Sequence, residues 1–525
     1  MQCTCVRQTD LPNTSKLFAD LIYHFDRVAD LYPWQPNSLD EIARAAQFSF
    51  PDERRAAVVR ALEPLNPGNP SLAILARPGT AAIITGQQVG LFSGPAYTVY
   101  KALTAIRIAS ELTASGTPAV PMFWLATEDH DFAEVDHADV FGESMHPVRL
   151  RTSTPAHAGS IPVGELPIGD VPLTQLRQAL QGLPFADEAC ALVERAYQPG
   201  QSMGSAFAAL VRELFAPYGL ILIDPMSSEL RGIAAPFMQQ AVERMNELSD
   251  DLAARGKELV ERGYHAQVLV DSKTSLAFLL KDGQRLALRR SADGFTAGQQ
   301  KWTTAELAAK AAELSPNALL RPVLQDYLFP TAAYVGGPAE LAYLAQSQVL
   351  YKKLLGRQPV AFPRAGFTLV DERAAKRMAK YRFQPQDLMV REQTLRETVA
   401  ARLVPPGLTR SLETTKTTVA QALDAFSADL AAFDPSLVTA LATSRRKIEY
   451  QVAKITRKTA VQILAKDEQA QRDSAMLSGT VFPDDHLQER LYSIIPFLAK
   501  FGPGLVEEVY RQVRVECPDH QFAVL

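Results

Sequence analysis

"AAIITGQQVGLFSGPAYTVYKALTAIRIASELTASGTPAVPMFWLATEDHD", residues 81 to 131, decides the fold of this chain. "AAIIT" (81–85) has the composition of a short buried strand. Behind it comes a loop holding three glycines and two adjacent glutamines. Apolar residues at three- and four-residue spacing then mark a helix that begins near Pro95 and stops near Gly116. "AVPMFWLA" (119–126) is again apolar throughout and of strand length. Strand, loop, helix, strand is a βαβ unit. Strands apolar on both faces belong to a parallel sheet covered on both sides, with a right-handed crossover.

The same order recurs along the chain. A helix over about 203–217 leads into the strand "GLILIDP" (219–225), and "TAAYVGGPAELAY" (331–343) breaks from strand to helix at Gly336 and Gly337. These segments are expected in one α/β sheet. Residues 17–63 read as a helical lead-in, with Leu17, Leu21, Ile22, Phe25 and Val28 on one stripe before the Pro33 and Pro36 turn. "AQVLVDSKTSLAFLLKDGQRLALRR" (266–290) alternates and turns at Asp282-Gly283, which predicts a hairpin, as an insertion or edge ribbon. Residues 152–184, rich in Pro, Gly, Ser and Thr, are expected as loop.

After "PVAFPRAGFTLVDE" (359–372) the pattern changes. From Leu412 the apolar positions 412, 419, 423, 426, 430 and 433 keep a/d spacing for about three heptads, with Lys416 the interruption. A turn at Asp434-Pro435 joins a second helix with Leu437, Leu441, Ile448, Val452, Ile455 and Ile463 on one side, so an antiparallel helical hairpin is expected. Such a stripe suits pairing with a second subunit or packing on a neighbour, and a homodimer is the expectation. Two further helical segments, from His486 and from Pro503, return to the main domain.

In an open parallel sheet, ligands settle at the carboxyl ends of the strands. Three loops lie there: Gly86 to Pro95, Glu128 to Asp131, and Gly336 to Glu340. The first spaces Gly86, Gly90 and Gly94 evenly, matching neither the dinucleotide nor the P-loop pattern. Its glycines suit close backbone approach to a ligand, and the helix start favours an anion. Thr85, Gln87 and Gln88 add neutral polar groups, with Tyr97 and Lys101 in the first turns of the helix. A tight turn with its glutamines in solvent explains the same residues. The second loop sets Glu128, Asp129, His130 and Asp131 behind an apolar strand, a cluster suited to general-base work or to holding Mg²⁺. His130, with an ordinary pKa of about 6.5, suits proton exchange near neutrality. Capping by an Asp of a solvated turn is the plainer alternative. His137 lies seven residues on, too far along a helix to share a metal with His130. The third loop opens a helix with Glu340 in its first turn and Tyr343 beyond, and "LRPVLQDYLFP" upstream supplies Arg321, Gln325 and Asp326. Arg321 also suits a structural ion pair and Tyr343 a core position.

The 525 residues exceed the roughly 250–300 that one core serves, so more than one domain is expected. Fifty-four basic and 58 acidic residues give a net charge of −4, which argues against nucleic acid as a main partner. The basic run from Arg445 to Lys458 reads as a solvated helix face. Four cysteines, at 3, 5, 190 and 517, form no C-x-x-C pair and suit a reducing compartment. The first residues carry no apolar leader and no apolar run reaches membrane-span length, so the cytoplasm is expected, with no membrane association. "VDSKTS" (270–275) resembles the lysine loop of class I aminoacyl-tRNA synthetases, but it falls in a strand pattern and no H-x-G-H accompanies it.

Taken in order, "TGQQVGLFSGPAYTVYKA", "FWLATEDHDFAEV", "LRPVLQDYLFPTAAYVGGPAELAY" and "FPRAGFTLVDE" resemble the cysteine ligase family of bacillithiol biosynthesis. The resemblance implies a Rossmann-like core over residues 1–375 with inserted segments near 150–200 and 265–320. Over 376–525 it implies a coiled-coil hairpin that pairs subunits and helices that return to the core. It also implies the last step of that pathway, in which the carboxyl of cysteine joins the amine of glucosaminyl-malate. ATP with Mg²⁺ is the expected means of carboxyl activation, since amide formation needs one, although no motif shows it. Glu128, Asp129, His130 or Asp131 would assist the amine, and the glycine loops would hold malate carboxylate or phosphate. Another ATP-dependent ligase or adenylating transferase on the same scaffold, and a non-catalytic binding protein assembled by its coiled coil, are the rival readings.

Overall fold

The computed structural model describes residues 2–155, 158–291 and 294–525. The chain divides into one unit of residues 1–368 with 489–523, and another of residues 369–488.

At the centre of the first unit lie five parallel strands: β1 (Ala81–Gln87), β2 (Ala119–Leu125), β3 (Ile221–Ile223), β4 (Thr331–Gly336) and β5 (Val360–Pro363). Their order is β5-β4-β1-β2-β3. On one side of β1 the register runs from Ala81 opposite Ala119 to Gln87 opposite Leu125. On the other side Thr85 lies opposite Val335. The chain builds outward from β1 through β2 to β3, then crosses back to lay β4 and β5 on the opposite side. The direction of winding therefore reverses between β1 and β4, which makes this pair of strand ends the place where a doubly wound sheet opens a crevice.

Both faces of the sheet are covered, as the apolar runs predict. Ile84, Val120, Met122 and Trp124 join one core, and Ile83, Val335, Val360 and Phe362 join the other. Helix α1 (Tyr97–Ala114) lies on the second face through Ala105, Ile108 and Leu112. Fully burying residues the size of Ile108 and Leu112 contributes about 1.5–3 kcal/mol each. The helix ends where the backbone at Gly116 turns to φ 97°, a conformation only glycine takes without strain.

The helices that matter to the site are α2 (Ser228–Glu243), α3 (Arg321–Leu328) and α4 (Pro338–Leu354), the last starting directly after β4. Between α2 and α3 the chain forms a second sheet, antiparallel, of five strands. Its hairpin turns at Asp282 and Gly283, both at positive φ, as the sequence predicts. The first strand begins only at Thr274. "VDSKTS" is mostly a turn and not strand, because the Asp271 carboxylate accepts from the Lys273 N–H at 2.8 Å and the Thr274 hydroxyl at 2.8 Å. The 152–184 stretch, of which residues 156 and 157 lie outside the described residues, is not all loop. Leu173–Leu180 is helical, with Leu176 and Leu180 buried, an apolar spacing that the surrounding prolines and glycines obscured.

The second unit is helical. Its longest members are α5 (Pro406–Phe433) and α6 (Ser436–Ala465), joined where the Asp434 carboxylate accepts from the Ser436 N–H at 2.8 Å. Leu412, Val419, Leu423 and Leu430 are half-buried, whereas Phe426 is 52% and Phe433 83% exposed. No residue of α5 is buried. Beside the hairpin, Asp473 gathers Arg377 at 2.7 Å, Lys380 at 2.9 Å and the Tyr381 hydroxyl at 2.9 Å. Burial works against this carboxylate, but the bonds prevail and hold its pKa at about 2. Among the described residues no helix is long and apolar enough to cross a membrane.

Candidate functional site

An open cleft of about 210 Å³ lies at the β1–β4 switch point. Gly86, Gln87 and Gln88 form its β1 edge, Tyr97 and Lys101 of α1 its floor, and Gly337 to Glu340 and Tyr343 of α4 its far side. Arg321, Arg364 and Arg490 complete the lining.

Lys101 is buried, so its ammonium must be paired. It donates to Gly86 O at 2.9 Å and Gln87 Oε1 at 2.7 Å, and forms an ion pair with Glu340. Burial lowers its pKa while Glu340 resists the change. Glu340 also accepts from the Tyr334 hydroxyl at 2.8 Å and the Gly337 N–H at 2.9 Å. Burial opposes ionisation here too, but Lys101 and these donors keep Glu340 below the usual carboxylate range. The pair therefore clamps the ends of β1 and β4 together across the crevice. Arg364, directly after β5, donates from its N–H to Gly336 O at 2.9 Å, and its guanidinium grips both oxygens of Glu489 at 2.9 and 2.5 Å.

Two cations remain to meet a ligand. Arg321 donates to the Tyr343 hydroxyl at 2.8 Å, and the exposed Arg490 makes no ion pair among the described residues. In the first turn of α4, behind Pro338, the N–H groups of Ala339 and Glu340 have no acceptor within the helix. An anion is thus favoured by guanidinium charge and a helix start on the same wall.

The second loop reaches the cleft edge through Gln88, whose amide donates to Asp129 Oδ2 at 2.6 Å and to Glu134 at 3.2 Å. Glu128 is buried and makes no hydrogen bond among the described residues; burial pushes its pKa up to about 7, against the pull of Arg285 and Arg321. Asp129 is held low. Burial raises it, but Gln88, Arg285 at 3.2 Å and the His130 N–H at 2.7 Å outweigh that. His130 Nδ1 lies 3.2 Å from Arg285, and its ring packs on Phe278. Asp131 is exposed and caps the next turn through the Ala133 N–H, so for this residue the capping alternative describes what is seen.

Several candidates stand elsewhere than their motifs imply. The N–H groups of the glycine loop do not point to a ligand. Those of Gly90, Leu91 and Gly94 go to Gln88 O, Val135 O and Leu91 O, and that of Phe92 to the Tyr197 hydroxyl. Gly90 and Gly94 are buried against each other, where a Cβ on Gly90 would sit 3.0 Å from Gly94 Cα. At the start of α1 the Ala96 N–H is taken by Tyr492 O at 2.7 Å, so the anion-binding helix end belongs to α4 and not α1. Thr85 is buried, its hydroxyl tying β1 to Val335 O. Gly336 is a packing position, since a Cβ there would meet Tyr334, Glu340 and Leu341 at 3.0–3.1 Å. Asp326 faces inward, accepting from the Tyr351 hydroxyl at 2.7 Å, with burial lifting its pKa to about 6 against Arg357. His137 pairs with Asp136 at 2.7 Å.

Arg285, Arg364, Glu489 and Arg490 were not singled out from sequence. Arg364 stands directly behind an apolar strand, the position that the other strand-end loops share, and that position is its signal in the sequence. Arg490, in a segment that reads as a plain helix, offered none.

Residues 1–365 match the N-terminal Rossmann-like domain, and residues 367–525 the C-terminal coiled-coil domain, of BshC of bacillithiol biosynthesis. A protein of Solibacter usitatus (strain Ellin6076) is 50% identical over 526 residues, covering 100% of both chains. Relatives from Koribacter versatilis (strain Ellin345) and Salinibacter ruber (strain DSM 13855 / M31) are 36% and 30% identical over 98% and 96% of this chain, and over 98% and 95% of theirs. All three bear the name "Putative cysteine ligase BshC". With both of its domains matched and a full-length relative at half identity, this chain belongs to the BshC family of bacillithiol biosynthesis.

Proposed function

We propose that this protein is a ligase joining the carboxyl of cysteine to the amine of glucosaminyl-malate, the step that completes bacillithiol. One observation carries the reading beyond the relatives' name: two cations not committed to carboxylates stand in the switch-point cleft, and one of them, Arg321, acts electrostatically on Glu128, a buried carboxyl poised around neutrality. Arg321, Arg490 and the first turn of α4 suit the malate carboxylates or a nucleotide phosphate. Glu128 then takes the proton from the attacking amine, since a base of pKa near 7 is half-ionised at working pH. His130, turned toward Arg285, orients the loop. ATP with Mg²⁺ supplies the activation of the carboxyl. The α4 helix start is the group of this chain that would hold its phosphates, which leaves Arg321 and Arg490 to the carboxylates of the acceptor.

The protein acts, on this reading, in the cytoplasm as a homodimer. The exposed apolar positions of α5 and α6 support pairing through the hairpin.

Incubating purified protein with cysteine, glucosaminyl-malate, ATP and Mg²⁺ tests the reaction. The expected result is the joined thiol with AMP or ADP, whichever identifies the activation route. ATP consumption only with a different amine overturns the substrate, and binding without turnover overturns the ligase.

A further inference from the structure

A second, smaller cavity opens at the carboxyl ends of β2 and β3, with about 20 Å³ of free space. Trp124 and Glu128 enter it from β2 and the loop behind it, Met226 from the loop after β3, and Ala234 from α2. Leu324 of α3 and Leu314 of the antiparallel sheet close it. Trp124, Ala234, Leu314 and Leu324 also belong to the main hydrophobic core, so most of the wall is rigid and apolar, with Arg231 and Ser315 as its other polar members. Three polar groups are unpaired there, among them the Nε of Arg231, which reaches the cavity from α2. The Glu128 carboxyl, on a residue 4% exposed, makes no hydrogen bond among the described residues, and the Trp124 indole N–H, on a residue 2% exposed, is buried without a partner among them. An unmatched donor and an unmatched acid on the wall of an apolar cavity are costly unless a ligand meets them.

We infer that this cavity takes the side chain of the amino-acid substrate, which on the ligase reading above is cysteine. A water needs roughly 10–15 Å³ of such space, so the cavity admits a side chain of one or two heavy atoms and excludes longer ones. The apolar lining favours a thiol over a hydroxyl, because a serine hydroxyl forfeits its water without regaining full hydrogen bonding, whereas a thiol buries as a small hydrophobe. The indole N–H then meets the sulfur, a weak acceptor. Glu128 also feels Arg321 of the cleft lining. A substrate seated here meets Glu128 and Arg231 of the lining at its polar end.

Calorimetric titration of L-cysteine, L-serine, L-2-aminobutyrate and L-methionine into the full-length protein tests the inference without turnover. Wild type is expected to bind cysteine and 2-aminobutyrate within about tenfold of each other, serine at least tenfold more weakly, and methionine not at all. Ala234→Leu, which fills the cavity, should weaken cysteine at least tenfold, and Leu324→Ala, which enlarges it, should admit methionine. Each variant is compared only at a melting temperature showing it folded. Cysteine affinity unchanged in both folded variants, or no cysteine binding by wild type, overturns the inference. Cysteine bound with this selectivity but never joined to glucosaminyl-malate refutes the ligase reading and leaves the cavity standing. Turnover with a cysteine KM blind to both variants does the reverse.

Discussion

Glu128 is the residue whose chemistry is most exposed to pH. Burial raises its carboxyl from 4.5 to about 7, so the folded state holds a proton that the unfolded chain has released over that interval. Its contribution to stability is complete below about pH 4.5 and is lost as pH rises through 7, amounting to roughly 3 kcal/mol at 1.36 kcal/mol per unit. Urea unfolding of wild type and Glu128→Gln at pH 5 and pH 8 should show the variant gaining on wild type at the higher pH. Asp326, raised to about 6, titrates in the same direction but is present in both proteins and cancels. Equal differences at the two pH values would remove the raised pKa. In turnover, kcat should climb with an inflection near pH 7, and Glu128→Gln should lose that inflection and about 10²–10⁴ in rate. Lys101 has the opposite character: it is fully committed. Lys101→Met strands Glu340 and should cost about 3–5 kcal/mol, partly restored by adding Glu340→Gln. A variant as stable as wild type in the same denaturation assay would show the pair contributes little.

At the scale of elements, the loop after β1 explains why its glycines misled. Phe92, Ser93 and Gly94 are consecutive at φ 51°, 76° and 62°, a strained path for the first two. It persists because Tyr197 holds the Phe92 N–H and the Ser493 hydroxyl holds Phe92 O, each at 2.7 Å. Strand, loop and helix were legible locally from the spacing of apolar residues. The fate of the loop's N–H groups was not, because Val135, Tyr197 and Tyr492 lie on other elements. Gly86 is needed for a different reason: a Cβ there would lie 3.0 Å from Trp124 O and Cβ, between the two central strands. Gly86→Ala should cost about 1–3 kcal/mol in thermal or urea unfolding. The α5–α6 hairpin was equally legible as heptads, yet it leaves Phe426, Ile448 and Ile455 exposed. If the proposed dimer forms there, Phe426→Asp with Ile448→Asp should give a monomer by light scattering; a variant that remains a dimer moves the interface elsewhere.

Across the whole molecule, the central sheet could be read from sequence because each strand is a short apolar run with a loop behind it. The cleft could be read only in part. Gln87, Gln88, Lys101, Arg321, Gly337 and Glu340 are all brought together, since each lies on a strand-end loop or the helix that follows or leads into it. Arg490 comes from a distant segment, and no periodicity reports such a meeting. Arg490→Gln should raise KM for the acceptor about ten- to a hundredfold, the worth of one charge-assisted hydrogen bond, with kcat little changed. Glu489→Gln, which leaves the buried Arg364 unpaired, should lower the melting temperature as well; a Glu489→Gln protein with wild-type melting would separate Arg364 from the stability of the fold.

The Arg364–Glu489 pair also sets a clock on synthesis. Its partners are 125 residues apart, and the helical hairpin is translated between them. At the roughly 5–20 residues per second of a ribosome, Arg364 spends about 6–25 seconds without its carboxylate. Through that interval all five strands of the sheet have been synthesised but this wall of the cleft has not. Completion of the cleft lining is therefore a late event of synthesis, and a chain stalled in the hairpin lacks both Glu489 and Arg490.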